Sequence, residues 1–178
     1  MTISVIIPTL NEERTITETI RHTAKLGLSE IVVVDGGSSD RTIAQVASLG
    51  VAQVLTSQPG RARQLNAGAK ASRGDVLLFV HADTRLPQTV KTSIESALAD
   101  ALVVGGRFDV QFDSDSPWSR LISTFMNLRS RLTRISTGDQ AMFVRRNVFE
   151  QLGGFSDIPL MEDIEFSTRL KRRGPTIA

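Results

Sequence analysis

The sequence predicts an α/β fold built on a doubly wound, mostly parallel sheet. Three observations carry that expectation. Residues 3–7 (I-S-V-I-I), 31–34 (I-V-V-V) and 76–80 (V-L-L-F-V) are apolar runs of strand length, rich in β-branched residues, as expected of strands buried on both faces. Helical segments with one apolar face alternate with these runs. The links between them are short, which favours right-handed β-α-β crossovers.

In chain order, a first strand over 3–7 ends at Pro8, and Asn11 is placed to cap a helix whose Ile16, Ile20 and Ala24 recur every four residues until Gly27 stops it. The second strand, 31–34, runs into D-G-G-S-S-D. Asp40 then caps a short helix to Leu49 with Ile43, Val46, Ala47 and Leu49 on its buried side. Residues 51–56 form a third strand, 57–60 a turn and 61–71 a third helix. The fourth strand, 76–80, is central, and Pro87 closes the turn before a helix over 88–98. These first hundred residues have the alternation of a Rossmann-like, nucleotide-binding half.

The rhythm then changes to a mixed second part. Residues 103–112 are extended but interrupted by Gly105 and Gly106, and Ser114 to Ser116 are polar. From Pro117 a helix aligns Trp118, Leu121, Ile122, Phe125 and Met126 in one stripe, expected to be core or a subunit contact rather than a membrane anchor. A loop over 136–140, a short strand over 141–144 and a short helix over 147–152 ended by Gly153-Gly154 follow. A last helix carries Ile164, Phe166 and Leu170 and ends at Gly174-Pro175.

Composition bounds the function. The 178 residues, 40% apolar and 22% charged, suit one domain with a substantial core. Without cysteine there is no disulfide, thiolate metal site or cysteine nucleophile. A formal charge of +2 is no argument for nucleic acid. Arg129, Arg131, Arg134, Arg145, Arg146, Lys171, Arg172 and Arg173 crowd the second half, which favours an anionic acceptor or surface. The run 3–7 is too short for a signal peptide, and no run reaches membrane-spanning length, so a soluble, cytoplasmic protein is expected, with the inner-membrane face as the other location.

Polar and acidic groups follow three of the strands: Asn11 and Glu12, Asp35, and Asp83. In such a sheet the carboxyl ends of the strands open on one crevice, so these groups are expected to share a site. Asp83 suits a hard cation such as Mg²⁺ or Mn²⁺ shared with phosphate oxygens; its plainer role is a cap or turn. Asp35 suits a ribose, or a turn before Gly36-Gly37. The first strand lacks a glycine-rich turn and no P-loop run occurs, which argues against dinucleotide and P-loop sites. Arg61 and Arg63 open the third helix, where a guanidinium can grip a diphosphate or simply be solvated. Glu162 and Asp163 open the last helix, offsetting its dipole or, for one of the two, serving as general base.

Together the motifs S-V-I-I-P-T-L-N-E (4–12), I-V-V-V-D-G-G-S-S-D-R-T (31–42), R-Q-L-N-A-G (63–68), D-V-L-L-F-V-H-A-D (75–83), G-D-Q-A-M-F-V-R-R (138–146), G-G-F (153–155) and M-E-D-I-E-F (161–166) resemble inverting family-2 glycosyltransferases of the GT-A fold, most of all the small stand-alone bacterial members. The resemblance covers nearly the whole chain. It implies a single glycosyltransferase domain over 1–178, with a nucleotide-sugar-binding half (1–100) and an acceptor and catalytic-base half (101–178). That second half stops at Ala178, where family members continue with further strand and loop.

By that resemblance Pro8, Thr9, Asn11, Glu12 and Asp35 border the nucleotide, and Arg61, Arg63, Asn66 and Ala82 complete the donor-binding set. Gly138, Asp139 and Gln140 approach the acceptor or the donor sugar. Asp83 matches the last acid of the D-x-D metal motif, and His81 replaces its first acid, so that the ion is held through Asp83 alone or with His81 as an additional ligand; Asp163, with Glu162 beside it, matches the catalytic base. The implied reaction is a metal-assisted single displacement, hexosyltransferase-like. It moves a sugar from a nucleoside diphosphate to the hydroxyl of a saccharide, lipid-linked or small-molecule acceptor, with inversion. The alternatives are a sugar nucleotidyltransferase and a truncated nucleotide-binding or assembly domain, self-associating through the 117–131 helix.

Overall fold

The computed structural model describes residues 1–111 and 117–178. Among the described residues seven strands form one sheet in the order β3-β2-β1-β4-β6-β5-β7, with β1 Ile3–Thr9, β2 Glu30–Asp35, β3 Gln53–Thr56, β4 Val76–Phe79, β5 Gly105–Arg107, β6 Met142–Arg145 and β7 Thr176–Ile177. Only β6 runs against the others, antiparallel to both β4 and β5. The expected doubly wound, mostly parallel sheet is therefore present.

Alternation along each strand feeds two cores. Ile3, Val5, Ile7, Ile31, Val33, Val76, Leu78 and Val80 face α1 (Ile16–Ala24), α2 (Thr42–Leu49) and α4 (Val90–Ala97). Ile6, Val32, Val34, Leu77 and Phe79 face α3 (Arg61–Ala71), α6 (Arg146–Gln151) and α7 (Glu162–Arg173). The second core holds an aromatic cluster in which Phe155 lies 4.9 Å from Phe79 and 4.7 Å from Phe166, ring centre to ring centre. Gly153 and Gly154, at φ +75° and +72°, make the left-handed turn that drives Phe155 inward.

Several local expectations are corrected. β1 continues through Pro8 and Thr9, because beyond Ile6 it pairs only with β2 and a missing N–H costs nothing on the open side. Asn11 does not cap α1: it sits at φ +57° and its side chain accepts the Ser39 N–H at 2.8 Å. The β3 strand starts at Gln53 and α4 at Val90, and Ala47 is exposed. Gly105 and Gly106 form β5 instead of interrupting it; a Cβ on either would strike a backbone carbonyl, Phe143 O or Ile177 O. The short β7 after Gly174-Pro175 was not foreseen. Phe112 and Ser114 to Ser116 lie outside the described residues.

The arginines of the second half divide. Arg145 donates to the carbonyls of Val103 and Leu98, and Arg146 to those of Gly74 and Ala69, so both tie the links before β5 and β4 to the preceding helices and are not free for an anion. The helix α5 (Pro117–Thr133) departs further: Trp118, Leu121, Ile122 and Phe125 are 73%, 46%, 51% and 63% exposed, so its stripe is not core.

Glu30 ties the amino ends of three strands. Its Oε1 accepts the Ser4 hydroxyl at 2.5 Å, the Arg73 N–H at 2.5 Å and the Gly74 N–H at 3.2 Å. Burial pushes its pKa up, but these hydrogen bonds and the Arg146 charge outweigh it and hold it below 4.5. A lowered folded-state pKa stabilises above the unfolded value and loses that stabilisation as pH falls through the folded one. Glu30→Gln should therefore cost about 1–2 kcal/mol at neutral pH. In denaturant titrations the gap to wild type should close in acid; a gap constant with pH would show that the charge is irrelevant.

Candidate active site

The register between β1 and β2 sets Thr9 beside Asp35 at the carboxyl end of the sheet. Behind them Gln64 of α3, buried, donates from Nε2 to both Thr9 O and Val34 O at 2.8 Å, locking the two strand ends together. Asp35 is buried and serves its own loop, accepting the Gly37 and Ser38 N–H groups at 3.0 Å and the Ser38 hydroxyl at 2.5 Å. The Asn11 N–H reaches Ser38 Oγ at 2.9 Å, so the loops after β1 and β2 are stitched into one rim. Glu12 accepts the Thr15 hydroxyl at 3.0 Å.

A second group forms where α3, β4, a 3₁₀ turn (Gly138–Gln140) and α7 meet. Arg61, the first residue of α3, lies with Nε 3.0 Å from Oε1 of the buried Glu162. The two atoms have no hydrogen-bond partner, so this is charge pairing with the N–H aimed off the oxygen. The Arg61 guanidinium also abuts His81 Nε2. Guanidinium offers only donors, so Nε2 is the nitrogen placed to accept there. Burial, and then the Arg61 charge, lower the His81 pKa, against the pull of Asp139, Asp83 and Asp163. That shift favours the neutral ring, whose Nδ1 lies 3.7 Å from Asp139 Oδ1.

Asp163 completes this group. Its Oδ2 accepts the Gly138 N–H and its Oδ1 accepts the Ile164 N–H at 2.7 Å. Gly138 leaves room for these groups: a Cβ there would fall 2.5 Å from His81 Nε2 and onto the Arg61 guanidinium, so both side chains would have to shift. Asn11, Ala141 and Met161, three non-glycine residues at positive φ, sit in the loops that carry these groups. Such strain persists only where surrounding contacts enforce it.

Two cavities flank a partition made by residues 81–83 and 138–141. On one side a niche of about 10 Å³ is lined by Pro8, Arg61, His81, Gly138 and Asp163. On the other a cavity of about 660 Å³ is lined by Asp83, Asp139, Gln140 and Ala141 with Thr19 and Glu18 of α1. Asp83 lines the larger cavity and Asp163 the niche, and both charges act on the one His81 ring, while Asn11 and Asp35 line neither of these two cavities.

A sequence profile of glycosyl transferase family 2 matches residues 4–153. The chain belongs to that family. Among its relatives, undecaprenyl-phosphate 4-deoxy-4-formamido-L-arabinose transferase of Pseudomonas aeruginosa is 35% identical over 158 residues, covering 80% of this chain and 46% of the relative. The mannosyltransferase PcManGT of Pyrobaculum calidifontis, solved with GDP-Man and Mn²⁺, superposes with a TM-score of 0.80 at 23% identity, covering 98% of this chain and 53% of that one. Staphylococcus aureus TarS 1-349, solved with UDP-GlcNAc, gives 0.78 at 20% identity, covering 99% and 56%. These superpositions establish the GT-A fold. The family-2 chain spans about half the length of the curated relatives it matches.

Within the family-2 chain other expected residues have structural occupations. Asn66 clamps the Phe155 backbone, donating to its carbonyl at 2.8 Å and accepting its N–H at 2.9 Å. Gln140 is buried, and its Oε1 accepts the Ser130 hydroxyl at 2.8 Å and the Thr137 N–H at 3.1 Å. Arg63 pairs with Asp157 at 2.9 Å, and the Ala82 carbonyl accepts the Thr19 hydroxyl at 2.7 Å. Gln64 and Arg169 went unpredicted. Arg169 binds Glu165, the carbonyls of Leu152 and Gly154, and the face of Phe166, fixing α7 on the G-G-F turn. A signal for Gln64 existed: an amide one turn into α3 among residues that must face the sheet.

Among the described residues no three His, Asp or Glu side chains converge to hold a metal. His81 has its Nε2 against the Arg61 guanidinium, which leaves Nδ1 as its nitrogen on the side of Asp139. Asp83 and Asp139, both exposed and both lining the larger cavity, are hard oxygen donors that fit an ion taking the rest of its shell from diphosphate and water.

Proposed function

We propose that this family-2 chain carries the catalytic centre of an inverting transferase that moves a sugar from a nucleoside diphosphate to an acceptor hydroxyl. The observation that carries the reading is the grouping of Arg61, His81, Gly138 and Asp163 at the carboxyl ends of β1 and β4. Nucleoside diphosphate sugars are the donors named with PcManGT and TarS, and we extend that class, but no particular base or sugar, to this chain.

In this reading the rim of Pro8, Thr9, Asn11, Glu12 and Asp35 holds the nucleoside, and Arg61 receives the diphosphate at the N-terminus of α3, where free N–H groups already favour an anion. Asp163, oriented by the Gly138 N–H, takes the proton from the acceptor hydroxyl as its oxygen bonds to the anomeric carbon. The bond to the diphosphate oxygen breaks on the opposite face, so a single displacement inverts the centre. A divalent ion at Asp83 and Asp139 would supply further positive charge toward the departing diphosphate.

Thermal shifts with UDP and GDP, each with and without Mn²⁺, test this. A saturating ligand should raise the melting temperature by about 5–10 °C, and Asp83→Ala should lose the Mn²⁺-dependent share. No shift with any nucleoside diphosphate would end the reading. An unaltered Mn²⁺ effect in Asp83→Ala would remove only the ion's assignment.

A further inference from the structure

The helix α5 is attached to the body back to front. Its polar side is the buried one: Ser123 and Ser130 are covered, and Ser130 donates to Gln140 Oε1 at 2.8 Å. Asn127 accepts the Val110 N–H at 2.9 Å and donates to its carbonyl at 3.0 Å. Its apolar side faces outward, with Trp118, Leu121, Ile122, Phe125, Leu128 and Leu132 between 46% and 77% exposed. At 100° per residue these six fall in one stripe along the helix. A helix meeting only water would present the opposite face.

The charge around the stripe narrows what covers it. Residues 117–133 contain three arginines and no acid. Arg129 and Arg134 are exposed, and Lys171 donates from Nζ to Thr133 O at 3.2 Å, bringing the basic end of α7, with exposed Arg172, against the same helix end. The exposed cations at this end of the helix complement an anionic surface. Seventeen residues with internal arginines also cannot span a bilayer, and no helix of the described residues is long and apolar enough to do so.

We propose that α5 docks the protein onto an anionic phospholipid surface, its apolar stripe in the headgroup–acyl boundary and Arg129, Arg134 and Lys171 on the headgroups. Aromatic and aliphatic side chains on one face, with exposed cations at its carboxyl end and no acid within residues 117–133, suit an interfacial helix. The proposal does not depend on the reaction assigned above.

Trp118 is the only tryptophan, so its fluorescence reports on this face directly. Vesicles of phosphatidylglycerol with phosphatidylcholine should shift its emission to the blue, shield it from acrylamide and pellet the protein; phosphatidylcholine alone should do none of these. The double variant Ile122→Asp with Phe125→Asp should abolish pelleting. Arg129→Glu with Arg134→Glu should weaken it by about ten-fold or more. Each variant replaces exposed side chains, and unchanged thermal melting confirms the fold. No blue shift with anionic vesicles, or equal pelleting by phosphatidylcholine, would overturn the proposal. So would a lipid-free, concentration-dependent blue shift that Phe125→Asp removes, since a second copy would then cover the face.

Discussion

Asparagine at Asp163 should lower sugar transfer by about 10²- to 10⁴-fold while leaving nucleoside diphosphate affinity nearly unchanged. The amide oxygen still accepts the Gly138 N–H, so the 3₁₀ turn keeps its place. What is lost is the ability to take a proton from the acceptor. Glu162 cannot substitute, because it is buried against Arg61 and directed to that charge. Steady-state transfer assays paired with calorimetry of the nucleotide separate the two effects. Asp163→Asn retaining more than about a tenth of wild-type turnover would show that the proton leaves by another route.

What the sequence disclosed followed from burial. The runs of β1, β2 and β4 are apolar on both faces because helices cover both sides of the sheet, and that signal is local. β5 and β7 carried no such signal. Gly105 and Gly106 form a strand only because Phe143 and Ile177 press on them, and β7 has two residues fixed by pairing with β5. The site was legible by residue type more than by role. Asp163 stands where a base should, yet Asp35 and Gln140 spend their side chains on backbone three residues away, and Asn11 and Asn66 theirs on backbone far away in sequence. Polar side chains at strand ends serve loops and ligands equally well, and only three-dimensional partners tell which. The stripe of α5 misled because periodicity shows that a face is apolar, not which way it points.

Arg61 offers the sharpest separation of folding from binding. Its Nε lies 3.0 Å from a carboxylate that is 5% exposed, while the arginine side chain is 35% exposed. Removing the cation alone leaves Glu162 buried without countercharge, and Arg61→Ala should cost about 3 kcal/mol of stability, the low end for such pairs because water reaches the arginine. The double variant Arg61→Ala with Glu162→Ala should recover most of that, since no isolated charge remains. Donor affinity should behave oppositely: both variants lose the guanidinium at the head of α3 and should bind a nucleoside diphosphate about 10- to 100-fold more weakly. Glu162→Ala alone keeps the guanidinium and should retain most of the binding. If the double variant stays as unstable as the single one, the pair is not what holds α7 to α3. If Arg61→Ala binds donor normally, the diphosphate is gripped elsewhere, and the opening of α3 is a hinge for Glu162 alone.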